Sequence, residues 1–153
     1  MTQDDAVLLL RENIRQMQEA FQWLKRSVLQ CQNIDLDQEI TAEDFDKLEN
    51  LCSRFGRTVD LVTNKIFRSI DKVELEEGGT LIDVVNRAEK RGLINSANEI
   101  REMKDLRNQI VHEYLAKALI PLLRDINQNQ PILFQIQENI LKYCKEKFQL
   151  EPE

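Results

Sequence analysis

Apolar residues recur along this chain at steps of three and four, the period of a helix with one buried face. Val7, Leu10, Ile14, Met17, Phe21, Leu24, Val28 and Cys31 form the first such stripe, a sustained seven-residue repeat. The polar stretch "QNIDLDQEI" interrupts it, and Thr41 with Asp44, just ahead of Phe45, signals a new helix start. Phe45, Leu48, Cys52, Phe55, Val59, Val62 and Ile66 then repeat the stepping. Gly56 in that stripe weakens the helix, yet its missing side chain lets another helix come close. Two stripes of similar length predict a long antiparallel hairpin.

"EEGG" ends the second stripe by supplying backbone freedom. Thr80 and Asp83 cap a short third helix carrying Leu81, Val84, Val85 and Ala88, closed by Gly92. Ser96 with Glu99 has the form of a capping box, so a fourth helix is predicted from about residue 97 through "LRNQIVHEY". Pro121 and Pro131 break up the rest of the chain, and Pro131 suits the first turn of a last helix bearing Ile132, Ile136, Ile140, Cys144 and Phe148. The tail "QLEPE", residues 149–153, is expected to fray. No strand-like alternation competes. The pattern predicts one all-α domain over residues 1–153, an antiparallel helical bundle of about five helices with the first two as its core hairpin.

Composition agrees with that vocabulary. Hydrophobic residues make up 42% and charged residues 31%, a globular balance, with only 4 glycines and 3 prolines. Runs such as "AVLLL" and "ALIPLL" are too short to span a bilayer, so no membrane partner is expected. Acids in "MTQDDAV" stand where a signal peptide needs basic residues, and the expected location is cytoplasmic. Cys31, Cys52 and Cys144, with a single histidine, make no zinc pattern; reduced core thiols are the expectation, with no metal and no cofactor. A net charge of −6 disfavours a broad duplex-DNA surface but leaves room for a small basic cleft.

The fourth helix carries an anomaly. At about 100° per residue, Ile100, Met103, Ile110, Val111 and Tyr114 cluster on one side, and Arg107 falls near the middle of them. An unpaired guanidinium in a core is costly, so Arg107 requires an acidic partner, an interface or a wet cleft. His112 lies about 140° away on the same wheel, sharing the polar side with Arg101, Asp105 and Asn108. One straight helix therefore separates the two, and a second copy across a two-fold axis would reunite them.

"RNQIVHEY" resembles the R-x-x-x-x-H-x-Y signature of the HEPN superfamily, in the HepT-like branch whose usual form reads R-N-x-x-x-H-x-Y. Arg107, Asn108, His112 and Tyr114 all match. The order of elements is similar too, and "LIDVVNRAEKRGLI" has the look of that branch. The resemblance implies a homodimer with two motifs facing a shared cleft, acting as a metal-independent RNase toxin. It further implies a partner, a small nucleotidyltransferase antitoxin of the MntA type, that transfers AMP to the motif tyrosine, here Tyr114.

The residue chemistry is compatible with that role. Metal-free RNA cleavage requires a proton acceptor near neutral pH and a fixed positive charge for the developing phosphorane. His112 fits the first and Arg107 the second, while Asn108 can orient the imidazole or donate to the phosphate. Lys104 and Arg101 would supply a local positive field, and a nucleotide on Tyr114 would block the cleft with negative charge. Two other readings stand beside this one. The first is a non-catalytic HEPN subunit that binds substrate for a nucleotidyltransferase. The second is a purely structural helical dimer, in which Glu49 or Asp60 of the second helix neutralises Arg107 and His112 is far from any cleft.

Overall fold

The computed structural model describes residues 1–76, 78–113 and 116–151, except the side chain of Ala116. Its helices are α1 (Gln3–Cys31), α2 (Ala42–Leu61), α3 (Phe67–Val73), α4 (Leu81–Lys90), α5 (Ala97–His112) and α6 (Leu119–Phe148). A π-helical turn, Val62–Ile66, joins α2 to α3 without a break, and a short 3-10 turn, Ala116–Ala118, leads into α6. The molecule is thus five helical rods and, among the described residues, no strand: the all-α bundle that the periodicity predicts.

The long hairpin is antiparallel, as its cross-links show. Gln3 donates to the Val73 carbonyl, Asn13 Nδ2 to Ser69 Oγ at 2.6 Å, and Arg54 to Ser27 Oγ at 2.8 Å. Partner numbers fall on one rod as they rise on the other. The first stripe is buried at Leu10, Ile14, Met17, Phe21, Leu24 and Cys31, while Val7 and Val28 are partly covered. The π turn adds a residue to the second stripe, so Ile66 and Phe67 are both buried before Ile70 and Val73 resume it. A strict three-four count has no means of foreseeing that extra residue. Helix α6 closes the bundle, with Phe134 against Phe21 at 5.4 Å between ring centres.

Helix ends follow the predicted signals in part. Thr41 Oγ1 accepts from the Asp44 amide at 3.1 Å, and Thr80 and Asp83 form a reciprocal capping box. Gly92, at φ 76°, turns the chain out of α4. Helix α5 begins at Ala97 as expected, but the Ser96 hydroxyl makes no cap bond. The Glu89 carboxylate of α4 accepts from the Ala97 amide at 3.3 Å instead, fastening the start from across the turn.

Four expectations need correction. Pro131 does not open the last helix; it lies inside α6, which begins twelve residues earlier at Leu119. Pro121 occupies the first turn, where an amide has no helical partner anyway, so it starts the helix rather than breaking it. Pro131 costs its helix a bond to the Asn127 carbonyl, but both residues are exposed and water can serve that oxygen. The exit from α3 is made by Leu75, at φ 60°, before the glycines are reached. The tail does not fray at its start. Gln149 turns left-handed, the Leu150 amide donates to the Cys144 carbonyl at 3.2 Å, and Leu150 is buried.

Candidate functional site

Helix α5 runs antiparallel to α2, and Gly56 lets it approach. A Cβ at Gly56 would stand 3.3 Å from Cγ of Arg107, so the arginine stem lies directly over the glycine. The absent side chain makes the room that the sequence suggests. Arg107 then extends toward the next turn of α2, where its Nε donates to Asp60 Oδ2 at 2.8 Å. Lys104, one turn earlier on α5, donates to the other oxygen of Asp60 at 3.0 Å. One carboxylate therefore holds two cations, leaving a local excess of positive charge.

The wheel misplaced the core side of α5. Ile100, Met103 and Leu106 are buried, Ile110 is half-buried, and Val111 is exposed. Leu106 draws the buried face around, so Arg107 stands at its edge rather than in its middle. Its side chain keeps 33% exposure, which spares the guanidinium most of the cost of burial. Asp60 is the partner because it faces α5 from one helical turn beyond Gly56. Glu49, the other candidate, lines the same cleft farther along α2.

That cleft lies between α2 and α5, has a volume of about 500 Å³, and is open to solvent. Its polar wall comprises Glu49, Ser53, Arg57, Asp60, Arg107 and Glu113, and its apolar wall includes Ile110 and Val111. Arg57 donates to the Ser53 hydroxyl at 3.0 Å and has no carboxylate partner among the described residues. Cys52 also borders the cleft, but burial, with smaller effects from Cys31 and Glu49, pushes its thiol up to about 12. It stays protonated and is no nucleophile at neutral pH. Burial likewise raises Cys31, and raises Cys144 to about 12, in keeping with core thiols.

The remaining predicted site residues are distributed around α5. Asn108 is exposed, and its Oδ1 accepts from Nη1 of Arg107 at 3.2 Å, so its amide is turned to the arginine. Asn108, Lys104 and Arg101 line a second groove, about 220 Å³, formed with Leu81, Ile82 and Val85 of α4. Arg101 is exposed and donates to Asn98 at 3.4 Å. His112 is exposed in the last turn of α5 and lines neither groove. One chain thus keeps Arg107 and His112 apart, as the wheel foresees. Tyr114 lies outside the described residues.

Comparison with protein-family models, with curated proteins and with solved structures finds no match to this chain. Among the described residues, no helix is long and apolar enough to cross a membrane.

One residue of the cleft escaped the sequence. Arg57 carries no anomaly in the pattern, being one more charged residue on the outer side of α2. Its value comes only from the cleft it shares with Arg107. The one legible signal is its spacing, a single turn from both Arg54 and Asp60.

Proposed function

We propose that this chain is a metal-independent endoribonuclease of the HEPN type, HepT-like, that acts as a homodimer. The observation that carries the reading is the Arg107 guanidinium, fixed by Asp60 at the mouth of an open cleft, with Arg57 beside it, and borne on the same helix as the exposed His112. A preset cation of this kind stabilises charge that develops in a phosphoryl transition state without reorganising at the moment of reaction. Two copies of α5 related by a two-fold axis bring Arg107 of one copy toward His112 of the other.

In this reaction the RNA 2′-hydroxyl oxygen attacks the adjacent phosphorus, and the bond from phosphorus to the 5′-oxygen breaks. His112 takes the 2′-hydroxyl proton as general base, and a proton is returned to the departing 5′-oxygen. The products are a 2′,3′-cyclic phosphate and a free 5′-hydroxyl. Arg107 binds the phosphate through the guanidinium nitrogens that Asp60 leaves free, and Asn108 steadies that guanidinium. A nucleotidyltransferase antitoxin of the MntA type would silence the enzyme by transferring AMP to Tyr114.

A second reading has a specific observation in its favour. Arg107 already has an acidic partner, and His112 borders neither groove of its own chain. Both features are those expected of a purely structural helical dimer, and they are also compatible with a non-catalytic HEPN subunit that binds substrate for a nucleotidyltransferase.

Cleavage of total bacterial RNA in EDTA separates the two. Wild-type protein is expected to cleave and leave 2′,3′-cyclic phosphate ends. His112→Ala is expected to lose about 10²- to 10⁴-fold in rate, as removal of a general base does. Arg107→Ala should lose activity comparably while both variants stay folded and dimeric by circular dichroism and light scattering. Equal cleavage by all three proteins would overturn the assignment. No cleavage by any, from protein whose mass excludes AMP on Tyr114, would favour the binding subunit.

A further inference from the structure

The chain has one tryptophan, Trp23, and α1 presents it outward at 49% exposure rather than committing it to the core. Across the hairpin, the Arg54 guanidinium lies over the indole, 5.0 Å from the ring centre. It is held there. Its Nη1 donates to the hydroxyl of Ser27, a fully buried residue, at 2.8 Å and to the Trp23 carbonyl at 3.4 Å. An arginine anchored this way loses little further freedom when a ligand arrives.

Trp23, Arg54 and Arg57 line a cavity of about 260 Å³, completed by Ala20 and Thr58. Among the described residues, no acid borders it and neither arginine has a carboxylate partner. Two unneutralised guanidiniums around an exposed indole stand out in a chain of net charge −6. Arg57 also lines the Arg107 cleft, so the two hollows share a wall. Arg54, Arg57 and Asp60 occupy successive turns of α2, about 9 Å along its axis, short enough for one strand to touch both hollows.

From this arrangement we infer a binding subsite for single-stranded RNA, in which a nucleobase stacks at Trp23 and Arg54 and its phosphate is held by Arg57. An aromatic face beside fixed cations is the combination that grips single strands without reading sequence. An acidic peptide would satisfy the arginines but leave the indole without a planar partner, so the tryptophan favours RNA. The subsite rests on the ribonuclease reading only for its purpose, which is to seat a nucleotide flanking the phosphate held by Arg107.

Trp23 reports on its own site, because every photon of tryptophan fluorescence comes from it. The probe is a 2′-O-methyl RNA hexamer, which lacks the attacking hydroxyl and cannot be cleaved by the proposed route. Titrating it into wild-type protein is expected to quench the emission saturably, whereas an abasic hexamer of equal charge should bind weakly and quench little. By anisotropy of a labelled hexamer, Trp23→Ala should weaken binding about 5- to 150-fold, the range for a lost base stack, and Trp23→Phe should restore most of it. Arg54→Gln should weaken it as well. Absence of quenching, equal quenching by the abasic strand, or unchanged affinity in Trp23→Ala would overturn the subsite.

Cleavage of ordinary RNA, measured separately, divides the two proposals. Quenching without cleavage keeps the subsite and removes the ribonuclease. Cleavage without quenching does the reverse.

Discussion

Asp60 and Asp71 lie on the same continuous rod, and each holds two cations from a later helix. Asp60 takes Lys104 and Arg107 of α5. Asp71 takes Arg87 at 2.9 Å and also Arg91, residues one turn apart at the α4 end of the bundle. The difference is water. The side chain of Asp71 is 2% exposed and that of Arg91 8%, against 27% for Asp60 and 33% for Arg107. From Asp71 the network extends to a half-buried carboxylate: Arg91 Nε donates to Glu74 at 3.1 Å, and the Tyr143 hydroxyl also donates to Glu74. Burial, helped by Glu74, pushes the Tyr143 hydroxyl up to about 12, so it remains a donor at any neutral pH. Burial works against the charge on Arg91, but its bond to Asp71 prevails and raises its pKa. A buried pair of this kind locks α4 onto α3. A half-exposed pair fixes a guanidinium while leaving part of it free for a ligand. The same arithmetic of one acid and two bases yields a structural clamp in one place and a candidate site in the other.

The sharpest way to break that contrast is to remove each carboxylate. Asp71→Asn leaves Arg91 buried, and Arg87 half-buried, without their main counter-charge and should cost about 3–5 kcal/mol, read from urea denaturation. Asp60→Asn should cost about 1 kcal/mol or less, because water can replace the lost partner. Equal losses would mean that the Asp60 cluster is as structural as the other, and the candidate site would lose its distinction. The smallest expected effect is at Gly56. Gly56→Ala gains about 1 kcal/mol or less of helix propensity, provided the Arg107 stem, 3.3 Å from the new Cβ, shifts by a few tenths of an ångström. Stability should therefore hold or rise slightly while RNA cleavage falls, a split that denaturation and the cleavage assay read together. A clear loss of stability would mean that the stem is pinned.

Much of this was legible because it is local. The three-four stepping at Leu10, Ile14, Met17 and Phe21 has one helical solution, and each of those residues is buried. The threonine caps at 41 and 80 were readable because a hydroxyl three residues before a free amide reaches it through the backbone alone. Pro131 and Ser96 were misread for the converse reason. The bundle carries a proline inside α6 on its wet side, and a carboxylate from α4 caps α5 where the serine does not. Arg107 was legible as an anomaly but not as a pair, since its wheel position showed a charge near the core without showing Leu106 turning the buried face past it.

By itself the sequence determined the helices, their order, the core hairpin and the arginine that had to be explained. Periodicity and capping act within a few residues, so they survive reading in one dimension. Which acid met that arginine, the buried clamp on Asp71, and the meeting of Trp23 with Arg54 and Arg57 were decided by tertiary structure alone. Such pairings join residues up to 47 positions apart, as Asp60 and Arg107 are. Only packing, including the extra residue of a π turn and the missing side chain of one glycine, sets those contacts.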